Sequence, residues 1–152
     1  MSEVLFYHLE KAGLESVLPG LLQKSLERGW RALVRCTSPA TAEKLDEFLW
    51  TFSDESFLPH GILTGDQASD ETEVLICSER HLPEGTGILF LVDQATAEAE
   101  EIAQTERTVV IFDGRSEEAL SAARTYWKSL KSSDHDLTYW QQNRAGKWEQ
   151  KA

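Results

Sequence analysis

The sequence predicts one α/β domain over residues 1–152, built as a Rossmann-like, open and mostly parallel sheet with helices on both faces. Three observations carry that expectation. Val74–Cys77, Gly87–Val92 and Thr108–Phe112 are short and continuously apolar, as strands buried on both faces must be; a sheet with one wet face would alternate. Strand-like runs alternate with segments of helical periodicity. A chain of 152 residues, 41% hydrophobic and 27% charged, also suits one globular domain that needs no disulfide or metal staple.

Val4–Leu9, with β-branched and aromatic members, predicts the first strand. Leu14, Val17, Leu18, Leu21, Leu22 and Leu26 then share one helical face. Pro19 fits such a helix if it starts near Ser16, with the proline in its first turn, and Gly29 is its natural stop. Ala32–Cys36 is the second strand. Ser38-Pro39 supplies an N-cap followed by proline at the first helical position, and Leu45, Phe48, Leu49 and Phe52 continue that helix with Trp50 off the stripe. Ser53–Glu73, with Pro59, Gly61, Gly65 and an acidic run, predicts a loop. An acidic helix over Ala95–Gln104 joins the last two apolar runs. Ser116 caps a final helix whose first turn holds Glu117 and Glu118, favourable against the helix dipole. Leu137–Gln142 and Lys147–Gln150 fit either a hairpin or a helix and a tail.

Charge is unevenly distributed. The net value is −11, but residues 1–118 carry 9 Lys and Arg against 23 Asp and Glu, while residues 119–152 carry 6 against 3. Three of the five tryptophans, Trp127, Trp140 and Trp148, also lie in that C-terminal piece. An acidic body argues against direct coating of nucleic acid, whose affinity comes from neutralised phosphates. A basic, aromatic end suits a ligand that is acidic and partly apolar; an ordinary charged surface is the plain alternative. Met1-Ser2-Glu3-Val4 lacks the basic start of a signal peptide, and no apolar run approaches the ~18 residues of a membrane span. Cys36 and Cys77 sit in apolar runs without a CxxC pair, as buried thiols in a reducing compartment do. The expected location is cytoplasmic.

Equipment for catalysis is absent from the sequence. There is no GxxxxGK[ST] loop, and Glu10-Lys11-Ala12-Gly13 after the first strand holds one glycine where a phosphate cradle needs several. Asp93 and Asp113 end apolar runs as Mg²⁺-binding aspartates do, but without a phosphate loop that pattern more often marks a cap or turn. His8, His60, His81 and His135 form no close ligand pair, and no GxSxG elbow occurs. The expectation is therefore no enzyme, no cofactor and no metal.

Two features rise above this background. Trp50, with the loop pair Phe57-Leu58 beside Pro59, offers apolar anchors for a partner, against the plain reading of a helix end and a loop. Arg124, Lys128 and Lys131 stand at i, i+4 and i+7 with Trp127 at i+3, so one helical face carries basic heads around an indole. A solvated basic face is the alternative there, and Trp127 fits equally well into the core stripe of Ala119, Leu120, Ala123 and Leu130.

At Phe6-Tyr7-His8-Leu9, Asp46 with Leu49-Trp50, Ser56-Phe57-Leu58-Pro59-His60, Arg124-Thr125-Tyr126-Trp127-Lys128 and Thr138-Tyr139-Trp140, the sequence resembles the chi subunit of the DNA polymerase III holoenzyme. The resemblance implies a non-catalytic accessory protein of DNA replication with a Rossmann-like fold. It implies a bridge from the clamp loader, through its psi subunit or an equivalent, to the acidic C-terminal tail of the single-stranded-DNA-binding protein. By the same resemblance Arg124, Trp127 and Lys128, helped by Trp50, correspond to the tail-binding positions, with Trp127 standing where a tyrosine can occur. Phe57, with Leu58, corresponds to the psi-facing anchor, a face that a helicase can also use. The alternative from a different class is a small Rossmann-like nucleotide-binding protein or enzyme using Asp93 or Asp113.

Overall fold

The computed structural model describes residues 3–10, 13–51, 60–62, 74–78, 82, 85–131, 135–142 and 147–151, with side chains for all of these except 15, 16, 50, 51 and 60–62. In chain order its elements are β1 (Glu3–Leu9), α1 (Leu14–Glu27), β2 (Arg31–Arg35), α2 (Pro39–Thr51), β3 (His60–Ile62), β4 (Val74–Cys77), β5 (Thr86–Leu91), α3 (Ala99–Gln104), β6 (Arg107–Asp113), α4 (Glu117–Lys131), β7 (Asp136–Gln142) and β8 (Trp148–Gln150). The strands form one sheet in the order β3-β4-β2-β5-β6-β1-β7-β8. Every pairing is parallel except that of β7 with β8. A mostly parallel α/β sheet is thus what the continuous apolar runs required.

Alternate strand residues fall into two core clusters. Ala32, Val34, Phe90 and Ile111 pack with Leu18 and Leu22 of α1 and Ala42, Leu45 and Leu49 of α2. Leu33, Leu89, Val110 and Phe112 pack with Ile102 of α3 and Ala119, Ala123 and Leu130 of α4. β1 lies between β6 and β7, with Phe6 opposite Val110 and Tyr139, and His8 opposite Phe112 and Gln141.

Several elements depart from the sequence expectation, each for a physical reason. α1 begins at Leu14 rather than near Ser16, so Pro19 lies inside the helix and not in its first turn. A proline there costs about 3 kcal/mol. Leu18 and Leu22, both fully buried, each contribute about 1.5–3 kcal/mol and offset it. Gly29 (φ 80°) ends the helix as expected: its N–H donates to Leu26 O at 2.9 Å, and that of Trp30 to Ser25 O at 3.1 Å. These two bonds form a Schellman motif. Ser38 Oγ caps α2 by accepting from Thr41 N at 3.2 Å. Within the segment expected to be a loop, His60–Ile62 forms β3 on the sheet edge, paired with β4. The C-terminal alternatives resolve as an antiparallel pair, with Trp140 opposite Gln150.

α3 starts four residues later than expected, at Ala99, because Glu98 and Glu101 close a capping box. Glu101 has a second task. Arg35, only 2% exposed in β2, donates to Glu101 Oε1 at 3.0 Å and to Oε2 at 2.5 Å, and also to Thr96 O at 3.1 Å. An arginine within an apolar strand thereby ties β2 to the start of α3.

Candidate binding groove beside the last helix

α4 lies over β6, and residues of one helical face (Leu120, Arg124, Trp127 and Lys128) look onto the ends of β1 and β7. Alternation along the strands brings His8 of β1, and Tyr139 and Gln141 of β7, to the same side, and Glu10, just past β1, joins them. Gly114, just past β6, completes an open groove of about 600 Å³.

The floor of the groove is aromatic. Trp127 is half-buried and meets Phe6 edge-on at 5.2 Å and Tyr139 edge-on at 5.7 Å, while Lys131 Nζ lies 5.7 Å from the indole centroid. Both readings of Trp127 therefore hold: one side of the ring joins the core, and the residue also lines the groove. Arg124 and Lys128 are exposed on its rim, and neither is within salt-bridge distance of a carboxylate among the described residues.

A cluster of polar groups sits under that rim. His8 Nδ1 is 2.7 Å from the Tyr139 hydroxyl, and its Nε2 is 2.9 Å from Glu10 Oε1. Gln141 Nε2 donates to the same Glu10 oxygen at 2.9 Å, and Glu10 N donates to Gln142 Oε1 at 3.3 Å. Burial pushes the His8 imidazole below its ordinary value of 6.5, against the upward pull of Glu10, and Arg124 adds to the lowering. Burial likewise raises the Tyr139 phenol, with Arg124 pulling it back. Such a site combines fixed cations, an apolar wall and polar groups at its base, the chemistry for an acidic and partly apolar ligand.

Of the residues singled out from the sequence, the fold brings Arg124, Trp127 and Lys128 together. Trp50 is not with them: α2 packs against β3 and β4, across the sheet from β7, and the Trp50 side chain is not among those described. Phe57 and Leu58 lie outside the described residues. Asp93 and Asp113 act locally. Asp93 Oδ2 accepts from Thr37 N at 3.1 Å and from Thr37 Oγ1 at 2.5 Å. Asp113 Oδ1 accepts from Arg115 N at 2.9 Å, a bond that holds its carboxyl below the usual range. Both cysteines are buried, and burial pushes the Cys36 thiol up.

Sequence reasoning misses the strand half of the groove. His8 and Glu10 share a face with Val4 and Phe6, a signal that becomes useful only once β1 is known to pair with β7. Residues 1–138 match the family model described as DNA polymerase III chi subunit, HolC. No curated protein matches the chain.

Proposed function

The chain belongs to the DNA polymerase III chi subunit family, a replication accessory family, and we propose that it is a non-catalytic adaptor whose α4 groove binds the acidic C-terminal tail of the single-stranded-DNA-binding protein. One observation carries the reading: among the described residues Arg124 and Lys128 stand without carboxylate partners beside a half-buried indole, on a chain whose first 118 residues are strongly acidic. Arginine grips a carboxylate through two parallel hydrogen bonds, lysine adds a point charge, and the aromatic wall accepts an apolar peptide end. The acidic body repels bare DNA, so contact with the DNA-coating protein is the productive route.

The Rossmann-like arrangement expected of such a protein is supported by the two core clusters, one holding α1 and α2 and the other α3 and α4. Phe57 and Leu58 form the second part of the proposal, as anchors for the clamp-loader psi subunit, its equivalent or a helicase; that assignment rests on the resemblance. Trp50, carried on α2, is a separate tail contact in this proposal, and Trp50→Ala tests it. The adaptor works in the cytoplasm, and no helix among the described residues is long and apolar enough to cross a membrane.

Calorimetry with an acidic peptide ending in an aromatic residue tests the groove. Arg124→Ala should weaken binding about tenfold or more, the range for an arginine anchor. Equal affinity of Arg124→Ala and wild type would remove the groove from consideration.

A further inference from the structure

One buried polar atom in the groove finds no well-aligned partner among the described residues. His8 is 7% exposed, and among the described residues its Nε2 has only the poorly aligned Glu10 carboxylate as a partner. Glu10 Oε1 is 2.9 Å away but off the line of the ring N–H, and that oxygen already accepts from Gln141. A carboxylate this close favours the tautomer with its proton on Nε2, so that the Tyr139 hydroxyl donates to Nδ1. A buried donor without an acceptor is costly, and a ligand atom is one way of supplying what is missing. Among the described residues the charged and titratable groups around the imidazole are Glu10 just past its own strand, Asp113 on β6, Arg124 on α4 and Tyr139 on β7.

Glu10 is the unexpected member of a groove otherwise suited to anions. Its side chain is 40% exposed just past the end of β1, so turning it to solvent disturbs no core packing. We propose that His8 and Glu10 are the carboxylate-reading end of the groove: Glu10 occupies, in the free protein, the place of a peptide's terminal carboxylate, and peptide entry displaces it and gives His8 Nε2 its acceptor. This rests on the peptide reading above. Two carboxylates against one imidazole repel each other, which makes Glu10 an internal competitor.

The probe is a synthetic peptide of four aspartates followed by phenylalanine, as the free acid and as the terminal amide. Calorimetry on Glu10→Gln should show the free acid bound about tenfold more tightly than by wild type, the scale of a charge-assisted hydrogen bond. The amide should change by less than about threefold, since only screened rim charge is altered. His8→Leu should reduce the free acid to the affinity of the amide and cancel the gain from Glu10→Gln. If His8→Leu does not fold, the wild-type ¹⁵N shift of His8 Nε2 serves instead, and should move with the free acid but not with the amide. An unchanged Glu10→Gln affinity, equal gains for acid and amide, or a static Nε2 shift overturns the inference. Wild type binding neither peptide, or Arg124→Ala binding as well as wild type, overturns the peptide reading and this inference with it.

Discussion

Gly114 and His8 are pressed together closely enough to exclude any side chain at position 114: a Cβ there would lie 1.7 Å from His8 Nε2 and 2.0 Å from its Cδ2. The backbone cannot easily withdraw, because Gly114 N donates to Leu9 O at 2.8 Å. Gly114→Ala must therefore push the imidazole off the Tyr139 hydroxyl. Overpacking of this kind costs about 1–3 kcal/mol, readable as a lower urea midpoint. In a His8→Ala background the same substitution should cost little. An equal loss in both backgrounds would show that the ring contact is not the cause.

Arg35 and Glu101 make the second prediction. Their side chains are 2% and 18% exposed, and the pairing is bidentate. Removing one member of such a buried pair breaks the bidentate contact that holds the other charge, at a cost of up to about 3–5 kcal/mol. Glu101→Ala should approach that loss, helped by the loss of the capping box on α3. Replacing both residues, as Arg35→Met with Glu101→Leu, should recover much of the stability. Denaturant unfolding of the three variants checks the order, and a double variant no better than Glu101→Ala would contradict it.

The elements legible from sequence are those whose signal is local. Val74–Cys77 is apolar throughout and forms β4 over that same span. Gly29 ends α1 because only its positive φ allows the chain to turn there. The start of α3 is not legible in this way: Ala95 and Ala97 extend the apolar pattern, yet they are buried in the irregular segment ahead of the capping box. β3 fails for another reason, since three residues with Gly61 at their centre carry no period of their own. The groove divides along the same line. Arg124, Trp127 and Lys128 lie within two helical turns, whereas His8 and Tyr139 are 131 residues apart and meet only through strand pairing.

Stability should depend on pH through His8. Burial holds the folded-state value below 6.5, so between the two values the unfolded chain binds more protons than the folded one. The contribution is complete above about 6.5 and is lost as pH falls through the lower folded-state value. Thermal melts should thus drop as pH falls from about 7 to 5, and His8→Leu should flatten that slope. Asp113 acts in the same direction but at more acid pH, because its carboxyl is held below the ordinary 3.8. An unaltered slope in His8→Leu would assign the effect elsewhere.

Salt should separate the two parts of the proposed peptide contact. Arg124 and Lys128 are exposed, and the Debye length contracts from ~10 Å at 0.1 M to ~3 Å at 1 M. Their attraction for an acidic peptide should fade over that range. Trp127 contributes differently: its indole is held by Phe6 and Tyr139, and burial of an apolar peptide end against it is little weakened by salt. Wild type should accordingly retain weak binding at 1 M salt, whereas Trp127→Ala should lose it. The same variant gives up edge-on contacts worth about 0.5–1.5 kcal/mol each, so its stability must be measured beside its affinity. Trp127→Tyr keeps an aromatic face and should preserve most of both. Affinity that collapses equally with salt in wild type and Trp127→Ala would mean that the groove binds by charge alone.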